Sequence, residues 1–212
     1  MIKWQDFAPA STSRVREATE WSITYSYRAT ETDKPRVLLI GDSICNGYNG
    51  KVRELLEGKV NVSFWASSKC VTDPAYFREL DFMLDAYPYD IVSFNNGLHS
   101  LTTDRKEWEA AYRAAVSFIR AKLPDALLFL TTSTPLKDAE LTAVAASLNE
   151  TVHKIADDDI LPEIDLFELM NGCDRDEFWS DTYHFKAEGI AMQAECIAGE
   201  ILGALEALEW DK

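Results

Sequence analysis

Residues 35 to 44 read Pro35-Arg36-Val37-Leu38-Leu39-Ile40-Gly41-Asp42-Ser43-Ile44, and this stretch decides the fold. Four consecutive apolar residues between a proline and a glycine are expected of a short strand buried on both faces. Similar runs recur at Val60 to Trp65, Ile91 to Phe94 and Ala126 to Leu130, with a weaker one from Ile160 to Ile164. Between them lie amphipathic stretches. Trp108, Ala111, Tyr112, Ala115 and Ile119 recur every three or four residues, and Asp104 with Glu107 offers a capping box ahead of them. Leu141 to Ile155 has the same period, as does Ile190 to Leu208, a long C-terminal helix.

Strands alternating with helices imply crossover connections, and hence a parallel sheet covered on both faces. The expected fold is a three-layer α/β/α sandwich with a parallel sheet of about five strands. Residues 1–35 lack this rhythm and read as an N-terminal extension packed on the domain, with a weak edge-strand alternation from Trp21 to Tyr27. Residues 36–212 form the domain proper. In such sheets ligands bind beyond the carboxyl ends of the strands. Functional residues are therefore sought just after Ile40, Trp65, Phe94 and Leu130, and just before the last helix.

Composition narrows the function. The 212 residues carry 36 acidic and 21 basic side chains, a formal charge of −15, which repels nucleic acid and anionic membrane surfaces. No apolar run reaches the ~18–20 residues of a membrane span. No secretory signal is visible behind Met1-Ile2-Lys3, so the expected location is cytoplasmic, with Cys45, Cys70, Cys173 and Cys196 as reduced thiols. His99, His153 and His184 form no standard ligand cluster, so no metal is expected. The loop after Ile40 lacks the glycine spacing of a dinucleotide motif and the lysine of a phosphate-binding loop, and no cofactor is expected.

Three clusters fall at the expected strand ends. Ser43 follows the first strand where a helix begins, a position that exposes a hydroxyl and a backbone N–H. The plainer reading is a tight turn with Asp42 or Ser43 as a helix cap. Asp181-Thr182-Tyr183-His184 precedes the last helix, and this spacing lets a carboxylate orient one imidazole nitrogen while the other faces the crevice. Here the plainer reading is capping by Asp181 or Thr182 with His184 on the surface. Asn95-Asn96-Gly97-Leu98-His99-Ser100 crowds donors where an oxyanion would sit, although asparagine and glycine are also ordinary turn residues.

Together, and in this order, the clusters resemble the SGNH (GDSL-type) hydrolases over roughly Arg36 to Leu208. Gly41-Asp42-Ser43-Ile44 is similar to the first family block and Asp181-x-x-His184 to the last. The resemblance implies a flavodoxin-like fold, with Ser43 as nucleophile, His184 as base and Asp181 as its orienting acid. Two middle blocks depart from the pattern. His99 stands where the family has an oxyanion-hole asparagine, in Gly97-Leu98-His99-Ser100, with Asn96 as the alternative donor. The second block lacks its glycine, so a main-chain N–H of Ser68 or Lys69 is the expected donor there. The implied activity is a serine ester hydrolase acting on a small-molecule or O-acetylated carbohydrate ester. The competing reading is a non-catalytic ligand-binding module on the same fold. The oligomeric state is left open by the sequence.

Overall fold

The computed structural model describes residues 2–208. Six strands form one sheet: β1 (Ser22–Ser26), β2 (Arg36–Gly41), β3 (Asn61–Ser67), β4 (Ile91–Phe94), β5 (Leu127–Thr131) and β6 (Glu163–Ile164). Their order across the sheet is β1-β3-β2-β4-β5-β6. Every pairing is parallel except β1 with β3, which is antiparallel. The weak alternation from Trp21 to Tyr27 is thus a real edge strand, supplied by the N-terminal extension. Without it the order is the flavodoxin-like one, which reverses direction between β2 and β4.

The pleat of β2 shows how the core is divided. Val37 and Leu39 point to one face and join Val62, Phe64 and Ile91, covered by α1 (Ser43–Leu55) and α7 (Ala187–Ala207). Leu38 and Ile40 point to the other face and join Trp65, Val92 and Phe94. That face is covered by α2 (Pro74–Leu84), α3 (Arg105–Lys122) and α4 (Ala139–Asp159). All six residues of β2 are buried, as a central parallel strand requires.

Local chemistry sets the helix starts. Asp42, Asp73, Asp104 and Asp138 each accept a backbone N–H at the first turn of α1, α2, α3 and α4, and Pro74 adds a pre-set φ to the second. The capping box expected at α3 forms only by half. Asp104 caps, but Glu107 turns away to accept from the backbone and hydroxyl of Ser13. The strand expected from Ile160 shortens to Glu163–Ile164, because Ile160 instead terminates α4 with a left-handed φ of 54°. Two short helices, α5 (Leu166–Asn171) and α6 (Arg175–Phe178), then lead toward α7.

The extension folds back on its own chain. Trp4 and Phe7 pack on the α2/α3 face, with the Phe7 ring 5.1 Å from that of Phe118. Trp21, Ile23 and Tyr27 pack on the opposite cluster. At its end the buried Arg36 guanidinium donates to the carbonyls of Tyr27 (3.0 Å) and Arg28 (2.8 Å). No helix of the described residues is long and apolar enough to cross a membrane.

Candidate active site

Ser43 is the first residue of α1, directly beyond the carboxyl end of β2. Asp42 caps the helix with Oδ1 on the Ile44 N–H (2.9 Å), which turns the next side chain outward. Gly41 makes room for this turn, since a Cβ there would lie 2.6 Å from Cys45 Cβ. Burial pushes the Asp42 carboxyl up, and its Oδ2 has no protein partner.

The downstream block is a closed turn. An isolated bridge pairs Trp179 with Phe185, whose rings lie 4.4 Å apart, and the His184 carbonyl accepts from Ser180 N at 2.9 Å. Inside this turn Asp181 Oδ1 accepts the backbone N–H groups of Tyr183 and His184, both at 2.8 Å. Its Oδ2 meets His184 Nδ1 at 2.8 Å. The His184 N–H, helped by the imidazole and opposed by slight burial, lowers the Asp181 carboxyl to about 2. The other ring nitrogen, Nε2, lies 2.9 Å from Ser43 Oγ, 141 residues away in sequence. An alcohol, an imidazole and a carboxylate thus form one hydrogen-bonded chain at the rim of the sheet.

The remaining expected site residues divide. His99 lies on a single 3-10 turn, Leu98–Ser100, after β4, and faces the same cavity as Ser43 and His184. That cavity measures about 440 Å³ and sits at the switch point between β2 and β4. Gly97 sets the approach of the turn: a Cβ there would fall 1.8 Å from Ser133 Oγ, so no other residue fits without moving the β5 loop. Asn96 does not face the cavity. It is buried, with Oδ1 on Val71 N (3.0 Å) and Nδ2 on the Lys69 carbonyl (2.9 Å), and clamps the β3 and β4 loops together.

Ser68 and Lys69 are likewise occupied elsewhere. The Ser68 N–H donates to the Trp21 carbonyl (3.1 Å), and the Lys69 N–H to Ser67 Oγ (3.2 Å). The Lys69 ammonium pairs with Glu79 at 3.0 Å. Both backbone donors expected from the second block are therefore spent inside the fold, the first because β1 runs alongside β3.

Sequence reasoning passed over the opposite wall. Arg14, Val15, Glu17 and Trp21 of the N-terminal extension all line the cavity. Apart from Trp21, which opens the weak edge-strand alternation, their signal is a run of charges without helical period, which carries no information about where the segment docks. Thr131 to Thr134, at the end of β5, are buried and line a small void beside Asp42 and Asn95. His153 pairs with Glu163 at 2.6 Å and does not line the cavity. Cys45 is buried behind the serine with its thiol pushed up to about 12, far from thiolate character. Among the described residues no group of three or more His, Cys, Asp or Glu is arranged to hold a metal.

The sheet with its β2/β4 switch point, carrying Ser43 after β2 and Asp181-x-x-His184 before α7, is consistent with the flavodoxin-like fold that the SGNH (GDSL-type) resemblance implies. Structural comparison agrees. An acetylxylan esterase from Geobacillus stearothermophilus superposes with a TM-score of 0.66 at 19% identity, covering 79% of this chain and 94% of that one. A member of the lipolytic G-D-S-L family from Veillonella parvula matches with a TM-score of 0.67 at 17% identity, over 79% and 98% of the two chains. A GDSL-like lipase from Bacteroides thetaiotaomicron gives 0.64 at 16% identity, over 84% and 94%. No protein-family model matches the chain, and no curated protein matches it in sequence.

Proposed function

We propose that this protein is a serine ester hydrolase working through an acyl-enzyme. The observation that carries this reading is the continuous Ser43–His184–Asp181 chain, with 2.9 Å and 2.8 Å links, opening on a cavity of about 440 Å³. Ser43 Oγ attacks the ester carbonyl while His184 Nε2 takes its proton. Asp181 holds the Nδ1–H tautomer and balances the ring's positive charge. The oxyanion meets the Ser43 N–H at the positive end of α1 and the His99 side chain. His184 then protonates the departing alkoxide. Water, deprotonated by the same nitrogen, releases the acid.

The substrate class we propose is a small ester or an O-acylated carbohydrate. Several structural neighbours are acetylxylan esterases, which supports the carbohydrate side. The cavity walls are mixed: Trp21, Leu98 and Leu141 offer apolar surface beside Arg14 and Glu17. A second reading, a binding module without turnover, is favoured by one observation, the two second-block N–H groups being already engaged.

Ser43→Ala separates the two. Hydrolysis of 4-nitrophenyl acetate should fall by about 10³-fold or more, and a fluorophosphonate should label the parent protein but not the variant. Full activity in Ser43→Ala would end the serine mechanism. No labelling and no turnover in the parent, with retained sugar-ester binding, would establish the binding module.

A further inference from the structure

The N-terminal extension reaches the site through one short contact. Glu17 Oε1 lies 2.5 Å from His99 Nδ1, across 82 residues of sequence. Resting on the serine-esterase reading above, we propose that Glu17 is a positioning residue for the reaction. Its carboxylate holds the His99 ring with Nε2 toward the reacting carbonyl and supplies the negative partner that a ring donating from both nitrogens requires.

The chemistry follows from the tautomers. A carboxylate accepts, so the proton on the short contact belongs to Nδ1. A neutral ring in that state offers the cavity a lone pair from Nε2, which would repel an oxyanion. Only the ring protonated on both nitrogens offers an N–H there. Among the described residues no protein group bonds Nε2, which leaves it for a ligand. His99 thus serves where an amide would serve neutrally, provided a counter-charge accompanies it. The other charged or titratable groups around it are Arg14, 3.6 Å from Glu17, together with Asp42, Tyr183 and His184.

The segment carrying Glu17 is built to hold it still. The buried Arg14 guanidinium donates to the Ser68 carbonyl (2.9 Å) and to Glu20 (3.0 Å). Ser68 Oγ donates to Glu20 (2.8 Å) and accepts the Trp21 N–H (2.8 Å). Glu17's own N–H closes the loop onto Glu20 at 3.0 Å. Burial raises the Glu20 carboxyl, but the Ser68 hydroxyl, the Glu17 N–H and Arg14 outweigh it, so the net displacement is downward and the anchor stays ionised. Trp21 stands edge-on to His99, centroids 6.0 Å apart, and limits the ring from the side.

The test uses the full chain and 4-nitrophenyl acetate, after Ser43-dependent turnover has been measured in the parent. Glu17→Gln keeps an oxygen for Nδ1–H but removes the charge. Its kcat should fall on the order of 10- to 100-fold with KM within about twofold, and Glu17→Asp should recover part of the loss. In a His99→Asn background, whose amide donates without a counter-charge, Glu17→Gln should cost nothing further. Nitrogen-15 imidazole spectra should show His99 protonated on both nitrogens in the parent at the pH of maximal activity. Unchanged kcat in Glu17→Gln, an equal loss in the His99→Asn background, or an unprotonated Nε2 would each overturn the proposal. Absence of Ser43-dependent turnover in the parent would instead remove the reading beneath it, and shows before any Glu17 variant is made.

Discussion

The two sides of the crevice are built on opposite plans. On the side of Ser43 and His184, polar atoms are aligned but left open: the hydroxyl, the imidazole and the carboxylate bond one another and face a cavity. On the side of Ser68, Lys69 and Asn96, almost every donor is consumed within the fold. Buried polar groups must find partners, and these have found them in the N-terminal extension and the neighbouring loop. The difference teaches that position at a strand end is necessary for a site residue but not sufficient. What distinguishes the two sides is whether another segment has already taken the hydrogen bonds.

The largest effect expected in this comparison lies on the open side. Asp181→Asn keeps an oxygen for the Tyr183 and His184 N–H groups, so the turn should fold. Its amide nitrogen, however, would face Nδ1 and favour the tautomer with the proton on Nε2, which cannot accept from Ser43. A kcat loss of about 10²- to 10⁴-fold should follow, read against 4-nitrophenyl acetate. Because the Asp181 carboxyl is lowered to about 2, below its unfolded value near 3.9, the stability it contributes is present above about pH 4 and disappears as pH falls through 2. Retention of full kcat in Asp181→Asn would leave the carboxylate as a turn-former only.

Asn96→Ala reverses the pattern. Truncation leaves the Val71 N–H and the Lys69 carbonyl without partners, at a cost of about 2–4 kcal/mol and a Tm lower by roughly 4–16 °C. Activity of the folded fraction at 25 °C should stay within about threefold, since the amide already serves the loops. A 10²-fold drop in kcat with unchanged Tm would instead mark Asn96 as a donor to substrate.

These contrasts follow what was legible in the sequence. Val37 to Ile40 declared a buried central strand, because four apolar residues between Pro35 and Gly41 have few other uses. Ser43 and Asp181-x-x-His184 were legible for a similar reason: each is local, at a strand end or within one turn. The fates of Ser68 and Lys69 were not. Their N–H groups are decided by Trp21 and Ser67, and Trp21 sits beside Ser68 only because Ser22–Ser26 pairs antiparallel with Asn61–Ser67. The weak alternation from Trp21 to Tyr27 suggests an edge strand but not which strand it pairs with, and nothing in residues 1–35 announces the meeting of Glu17 with His99. The strand begun at Ile160 misled for a different reason. An apolar residue there completes no core; it is 91% exposed and turns the chain out of α4.

The smallest effect tests where the two sides join. Ser68 was the nearest candidate to an oxyanion donor, yet its hydroxyl anchors Glu20 and Trp21. Ser68→Ala removes both bonds while its backbone N–H keeps the Trp21 carbonyl, so the cost should be about 1–2 kcal/mol. The loss should concentrate in the strap rather than the sheet, because β1 retains its pairing with β3. Amide exchange at Trp21 and Glu17 should accelerate while that of β2 stays slow. With the strap loosened, kcat should fall only a few-fold, since Arg14 still ties it to the Ser68 carbonyl. Uniform acceleration across β1 and β2 would mean that the extension is a part of the core and not a separate arm laid over the site.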